Sequence, residues 1–179
     1  KPDDKSLKIG CASSVDLRRR CDPPIDNKRL GIFAAGLLTF HRLPRGLSRY
    51  QSEFQTTFWA LARNVKQQLV TGMAVDLPFK TLPFFGGRVQ QKLANPNDEP
   101  LPVQVTNMGR VDLPSQWGDL KLEDMSFQVS IAWFQRMALM SAATFNGQLT
   151  LNFHTASPQF SQERLESLAN EVVELLNLE

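Results

Sequence analysis

A two-layer α/β (α+β) sandwich, with helices packed on one face of a mixed, largely antiparallel sheet, is the architecture predicted by three features of this 179-residue sequence. Several stretches alternate apolar and polar residues with period two, the pattern of half-buried strands. Two longer stretches, opening at Ser48 and Ser161, repeat apolar residues at helical spacing. Between two late apolar runs stands Asn146-Gly147. Both residues tolerate positive φ, which makes the pair the strongest short-range hairpin signal.

From the N-terminus, Leu7, Ile9, Cys11, Ser13, Val15 and Leu17 alternate with Lys8, Gly10, Ala12, Ser14, Asp16 and Arg18. This predicts a half-buried strand over 7–18. Residues 21–27 form a loop, because adjacent Pro23 and Pro24 fix the backbone and remove donors. Residues 31–40 are apolar almost throughout, which predicts a central strand covered on both faces, with small residues where something packs closely. Ser48 opens the first helix, with Gln51 completing a capping box. Phe54, Phe58, Leu61, Ala62, Val65 and Leu69 form its core face, and Gly72 is its expected stop.

Residues 76–102 read as an irregular apolar insertion. Leu77-Pro78-Phe79 and Leu82-Pro83-Phe84-Phe85-Gly86-Gly87 are apolar but full of breakers. A helical turn or two is expected around Val89–Leu93, and Asn95–Pro100 is a surface loop. The Phe-rich section either lines an apolar channel or packs as loop on the core.

A strand follows over 102–107, and then a turn region over 113–122. Phe127, Val129, Ile131 and Trp133 alternate with Ser126, Gln128, Ser130 and Ala132, which predicts another strand. With the Asn146-Gly147 hairpin it makes residues 126–154 a three-stranded antiparallel meander. Ser161 caps the last helix, with Phe160 placed to staple onto Leu165 and Glu163 suited to the N-terminus. Leu165, Leu168, Val172, Leu175 and Leu176 are its buried stripe.

The length suits a single domain over 1–179. With 42% hydrophobic and 21% charged residues, the composition is that of a soluble globular protein and not of a disordered chain. No apolar run is long enough for a transmembrane segment. Lys1-Pro2-Asp3-Asp4-Lys5 is no secretory signal and reads as the inside of a longer chain. Cys11 and Cys21 lack metal-ligand or redox spacing and read as reduced thiols, pointing to a cytoplasmic protein. Net charge is only +2, but residues 1–50 hold eleven Lys/Arg against five Asp/Glu, and residues 101–179 hold four against nine. Arg18-Arg19-Arg20 has no interleaved aromatics, so it reads as a solvated strand end, and no nucleic-acid partner is expected.

The sequence holds no Gly-x-Ser-x-Gly, Walker loop or dinucleotide fingerprint, and Gly86-Gly87 alone is no phosphate cradle. His41 and His154 are isolated and read as surface residues. No catalytic residue, metal ligand or bound cofactor is therefore assigned. The stretch with most to offer is Pro102–Asp112, where Val105-Thr106-Asn107-Met108-Gly109 sets a side-chain amide beside a position with no side chain. Asn107 and Gly109 are candidate substrate-binding residues. The alternative is an edge strand with a bulge and a turn-forming Asn.

Three stretches resemble a known family. They are Ser14-Val15-Asp16-Leu17-Arg18 with Pro23-Pro24 and Leu30-Gly31-Ile32-Phe33; Val105-Thr106-Asn107-Met108-Gly109; and Phe145-Asn146-Gly147-Gln148-Leu149 with Phe160-Ser161. In order, they are similar to the C-terminal half of the acyltransferase superfamily that contains chloramphenicol acetyltransferase, condensation domains of nonribosomal peptide synthetases, and polyketide-associated and alcohol acyltransferases. The resemblance implies a chloramphenicol acetyltransferase-like lobe, with substrates entering a tunnel between it and an N-terminal lobe. It implies a His-His-x-x-x-Asp-Gly motif in that other lobe, whose second His is the general base on an alcohol or amine acceptor. The donor would be an acyl thioester, acyl-CoA or an acyl carrier protein. The motif is absent from these 179 residues. The resemblance places Asn107 at the tunnel and makes Phe127, Ser130 and Trp133 further candidates for its wall. Ala35 stands where condensation domains usually have Asn, and the Asp-Phe-Gly-Trp-Gly motif of plant-type members is missing. The implied partners are the N-terminal catalytic lobe, an acyl carrier protein, and a second copy held through an exposed tunnel wall. The alternative is a non-catalytic interaction domain that retains the fold.

Overall fold

In the computed structural model the described residues are 6–48, 50–83, 87, 103–129, 137–155 and 160–177. The chain divides into two compact units, residues 1–91 and 92–179, within the stretch read from sequence as an insertion.

The first unit is built on two long antiparallel strands, β1 (Ser6–Asp16) and β2 (Ala34–Pro44), in unbroken register from Ser6 opposite Pro44 to Asp16 opposite Ala34. Helix α1 (Phe54–Ala74) covers the face of β2 that carries Ala35, Leu37, Thr39 and His41, all of them buried. The strand expected over 31–40 thus starts three residues late, and it is not covered on both faces. Phe40, on the other face, is exposed, and β1 is the sole strand partner of β2 among the described residues. The apolar run hid the alternation because Leu38 and Phe40 are apolar on the open face as well. In β1 the best-buried residues are Gly10 and Ala12, whereas Leu7, on the opposite face, is exposed. Small side chains need little to cover them, and a hydropathy pattern does not show that.

Two expectations for α1 change. Only half of the Ser48–Gln51 box forms: the Ser48 N–H donates to Gln51 Oε1 at 3.3 Å, but the Ser48 hydroxyl accepts from the Tyr50 N–H, and the turn lies before the helix, which begins at Phe54. Gly72 does not stop the helix. It is buried inside it, where a Cβ would lie 2.8 Å from Leu37 Cδ1. The chain turns instead after Ala74, with Asp76 at φ 52°. Arg20 holds that end: its Nη1 donates to Met73 O at 2.9 Å and meets Asp76 Oδ1 at 3.1 Å. A cation at the C-terminal carbonyls of a helix is favourable. Arg18–Arg20 is a short 3-10 turn in which no residue is buried; Arg20 ties it to the end of α1. Residues 77–83 are helical, with Pro78 buried near the start, where a missing N–H costs nothing. The turns expected around Val89–Leu93 and the Asn95–Pro100 loop lie outside the described residues.

The second unit centres on β6 (Ala138–Phe145), reached through β3 (Val103–Arg110), β4 (Gln116–Trp117) and β5 (Leu120–Lys121). Strand β3 runs parallel to β6, from Val103 opposite Ala138 to Asn107 opposite Ala142. Strand β7 (Gln148–Thr155) returns antiparallel, from Phe145 opposite Gln148 to Ala138 opposite Thr155. Asn146 and Gly147 have φ of 49° and 81°, the signs of a type I′ turn. The sheet is therefore mixed. The three-stranded meander is corrected: residues 126–129 lie outside any strand, and Ile131 and Trp133 fall outside the described residues. β4 and β5 form a small hairpin across Gly118-Asp119 in the region read as a turn. Helix α2 (Gln162–Leu176) packs on β7. Ser161 caps it, its hydroxyl accepting from the Arg164 N–H at 3.3 Å. Leu165, Leu168, Val172 and Leu175 are its half-buried stripe, but Leu176 is exposed.

Candidate functional site

Asn107 stands at the end of β3, where the pairing with β6 slips between Asn107 and Arg110. Its Oδ1 accepts the Gly109 N–H at 2.8 Å, closing a tight bend, and Gly109 has φ 69°. The Val111 N–H then rejoins β6 at Thr144 O, 2.8 Å away. The bulge read from Gly109 is present, and the Asn107 amide oxygen is part of it. Residues 107–110 are exposed, and a Cβ on Gly109 would meet nothing within 4 Å. The strand end thus presents an ordered amide beside an open backbone position.

Phe127 is held differently. Its carbonyl accepts from Ser141 Oγ at 2.8 Å and from Asn152 Nδ2 at 3.3 Å. Asp124 Oδ1 accepts from Thr150 Oγ1 at 3.1 Å, so residues 124–127 lie along the β6–β7 hairpin through side-chain bonds. Ser141 is fully buried and pairs across the ladder with Asn152. Asn107 pairs with Ala142, whose side chain points the opposite way to that of Ser141. The structure therefore brings Asn107 and Gly109 together, and sets the Phe127 contact on the other face of the β3–β6–β7 sheet. Ser130 and Trp133 lie outside the described residues.

Both histidines have partners that the sequence did not show. His154 Nε2 lies 3.4 Å from Ser141 Oγ, which uses its proton on Phe127 O. Burial pushes the His154 imidazole below its ordinary value of 6.5. The folded state therefore favours the neutral ring. Its contribution to stability is complete above the unfolded value and is lost as pH falls through the lower folded value. The denaturant midpoint is expected to drop on acidification below pH 6.5, and to drop less in His154→Gln. Equal slopes in the two proteins would exclude His154 as the source.

His41, read as a surface residue, is buried. Its Nδ1 lies 2.9 Å from Asn64 Oδ1 and its Nε2 lies 2.8 Å from Thr39 Oγ1. Gln68 Nε2 also donates to Asn64 Oδ1, at 2.8 Å, and its amide clamps the Phe40 backbone, accepting from N at 3.1 Å and donating to O at 3.0 Å. The signal available in sequence was the i, i+4 pair Asn64 and Gln68, two amides on one helix face. Cys11 and Cys21 are free thiols. Burial pushes the Cys11 thiol up, partly offset by its bond to Ser13, so it is not a reactive thiolate. Among the described residues no group of His, Cys, Asp and Glu could hold a metal ion, and no helix is long and apolar enough to cross a membrane.

With helices on a mixed sheet, a bulged β3 end and a β6–β7 hairpin closed by Asn146-Gly147, the chain has the chloramphenicol acetyltransferase-like fold of its structural neighbour. The family model of the phthiocerol/phthiodiolone dimycocerosyl transferase C-terminus matches residues 1–154, and the chain belongs to that family. The structure of polyketide synthase associated protein 5 from Mycobacterium tuberculosis matches with a TM-score of 0.51 at 20% identity, over 93% of this chain and 40% of that one. The crystal structure of vinorine synthase matches with a TM-score of 0.43 at 17% identity, over 93% of this chain and 37% of that one. The chain thus spans about two-fifths of the length of these solved structures. No curated protein matches it.

Proposed function

We propose that this chain is the C-terminal lobe of an acyltransferase that moves an acyl group from a thioester, acyl-CoA or an acyl carrier protein, to an alcohol or amine. The observation that carries the reading is the family match over residues 1–154, a family of transferase C-termini. The catalytic base belongs to an N-terminal lobe with the His-His-x-x-x-Asp-Gly motif. There the second His takes the acceptor proton as the oxygen or nitrogen attacks the thioester carbonyl. The new ester or amide bond forms, the C–S bond breaks, and the thiol leaves with a proton. Two features of this lobe support that division of labour: both ring nitrogens of His41 face protein partners, and so does Nε2 of His154. Asn107 and Gly109 present the substrate-orienting edge. The lobe works in the cytoplasm, and its exposed tunnel wall supports self-association when it is alone.

The experiment is thiol release from short- and long-chain acyl thioesters with a panel of alcohols and amines. Residues 1–179 alone are expected to give none, and the two-lobe protein to give acceptor-dependent release. Asn107→Ala in the two-lobe protein should lower turnover or acceptor affinity about tenfold and leave the melting temperature within a few degrees. Loss of folding with no separate kinetic effect would make Asn107 only the closure of the bulge. Absence of release from the two-lobe protein with every donor would favour the non-catalytic interaction domain.

A further inference from the structure

Leu30 and Ile32 are 96% and 95% exposed, more than any other large apolar residue described; the next, Tyr50, is at 83%. Two aliphatic side chains one residue apart, both almost wholly in water, are costly on a free surface and mark a contact site. The segment that bears them is held at both ends. Asp26 accepts the Lys28 N–H at its Oδ1, 2.7 Å away, and the Arg29 N–H at its carbonyl, 3.0 Å away. The Leu17 N–H donates to Phe33 O at 2.8 Å. The Arg18 guanidinium lies 5.0 Å over the Phe33 ring, reaches Gly31 O at 3.5 Å, and is itself paired with Asp16 at 3.4 Å. Gly31 sits between the two aliphatics at φ 151°, and a Cβ there would lie 2.8 Å from the Phe33 ring. The path that turns Leu30 and Ile32 outward therefore depends on a glycine and on an arginine brace.

We infer that residues 28–33 are the surface that seats this chain against its N-terminal lobe, with Leu30 and Ile32 as the buried anchors. The occupant follows from family membership: the chain is a transferase C-terminus, and it covers only 40% of the solved neighbour's chain. A preformed loop loses little conformational freedom on docking, so its two side chains return most of their burial as binding. The inference rests on the reading of the chain as a C-terminal lobe and is independent of acyl transfer.

Hydroxyl-radical footprinting read by mass spectrometry, on the two-lobe protein and on residues 1–179 diluted until monomeric, tests it without any substitution. Leu30 and Ile32 should be oxidised about tenfold more slowly in the two-lobe protein. Leu30→Ala with Ile32→Ala supplies a second measurement. It should lower the melting temperature of the two-lobe protein by about 4 °C or more, and leave that of residues 1–179 unchanged, since there these side chains touch almost nothing. Equal oxidation in both proteins, or an equal change in melting temperature, overturns the inference. Protection that disappears on dilution would assign the loop to a second copy, and protection that requires anionic vesicles would assign it to a lipid surface. Either result overturns it as well. Protection with no thiol release would leave the docking surface standing and remove only the acyl-transfer reading.

Discussion

Gly72→Val is expected to destabilise the chain by about 3 kcal/mol. Helix propensity alone argues the other way, because glycine inside a helix costs about 1 kcal/mol relative to alanine. Contact decides it. A Cβ at position 72 would stand 2.8 Å from Leu37 Cδ1 and 3.4 Å from Leu37 Cγ and Cδ2. Leu37 is 2% exposed, so its side chain has no open space to turn into. Alanine would force a small shift. Valine adds two methyl groups to the same closed space, and α1 must lift from β2 to admit them. Urea midpoints at a shared m-value measure the effect. A variant as stable as the parent would mean that α1 does not approach Leu37 this closely.

That glycine also shows where sequence reading stops. A glycine near the end of an apolar-periodic stretch fits a helix stop, and only the neighbour across the interface reveals the close-packing role. The hairpin was legible because Asn146 and Gly147 act through their own backbones. Ser161 was legible for the same reason, since its cap reaches only three residues along the chain. The β3 end was half legible: Gly109 announced a bulge, but that the Asn107 oxygen spends itself on the Gly109 N–H is a matter of a rotamer. Residues 31–40 misled because apolar residues occupy both faces of β2, while one face alone is covered. Phe127 misled because alternation describes an extended chain, and this one is pinned by Ser141 and Asn152 side chains outside the ladder. The misses at Gly72 and Phe127 depend on contacts between residues far apart in sequence.

The family placement narrows what the polar clusters mean. On the division of labour proposed above this lobe needs no poised histidine, and the wiring of His41 fits a structural part. Gln68 Oε1 accepts the Phe40 N–H, so its Nε2 faces Asn64 Oδ1. Asn64 Oδ1 therefore accepts from both sides, and the proton of a neutral His41 sits on Nδ1. Nε2 then takes the Thr39 hydroxyl proton at 2.8 Å, in preference to Cys11 O at 3.4 Å. The remaining lone pair of the ring is thus committed to Thr39, which is fully buried.

His41→Ala is accordingly expected to cost about 3 kcal/mol in stability, from a cavity under α1 and from two hydrogen bonds lost in a buried site. Gln68→Ala should cost less, because the Phe40 backbone groups it clamps lie on the outer edge of β2, where water replaces the amide. The same His41→Ala change in the two-lobe protein, assayed well below its melting temperature, should leave turnover per folded molecule nearly unchanged. A base takes its proton through a free lone pair within reach of the acceptor, and His41 has neither the lone pair nor the exposure. Loss of a general base lowers the rate about 100-fold or more. A fall of that size in correctly folded His41→Ala would place the catalytic centre in this lobe and overturn the division of labour proposed for it. Denaturant midpoints and thiol release, measured on the same preparations, separate the two outcomes, because a structural histidine moves the first and a base moves the second.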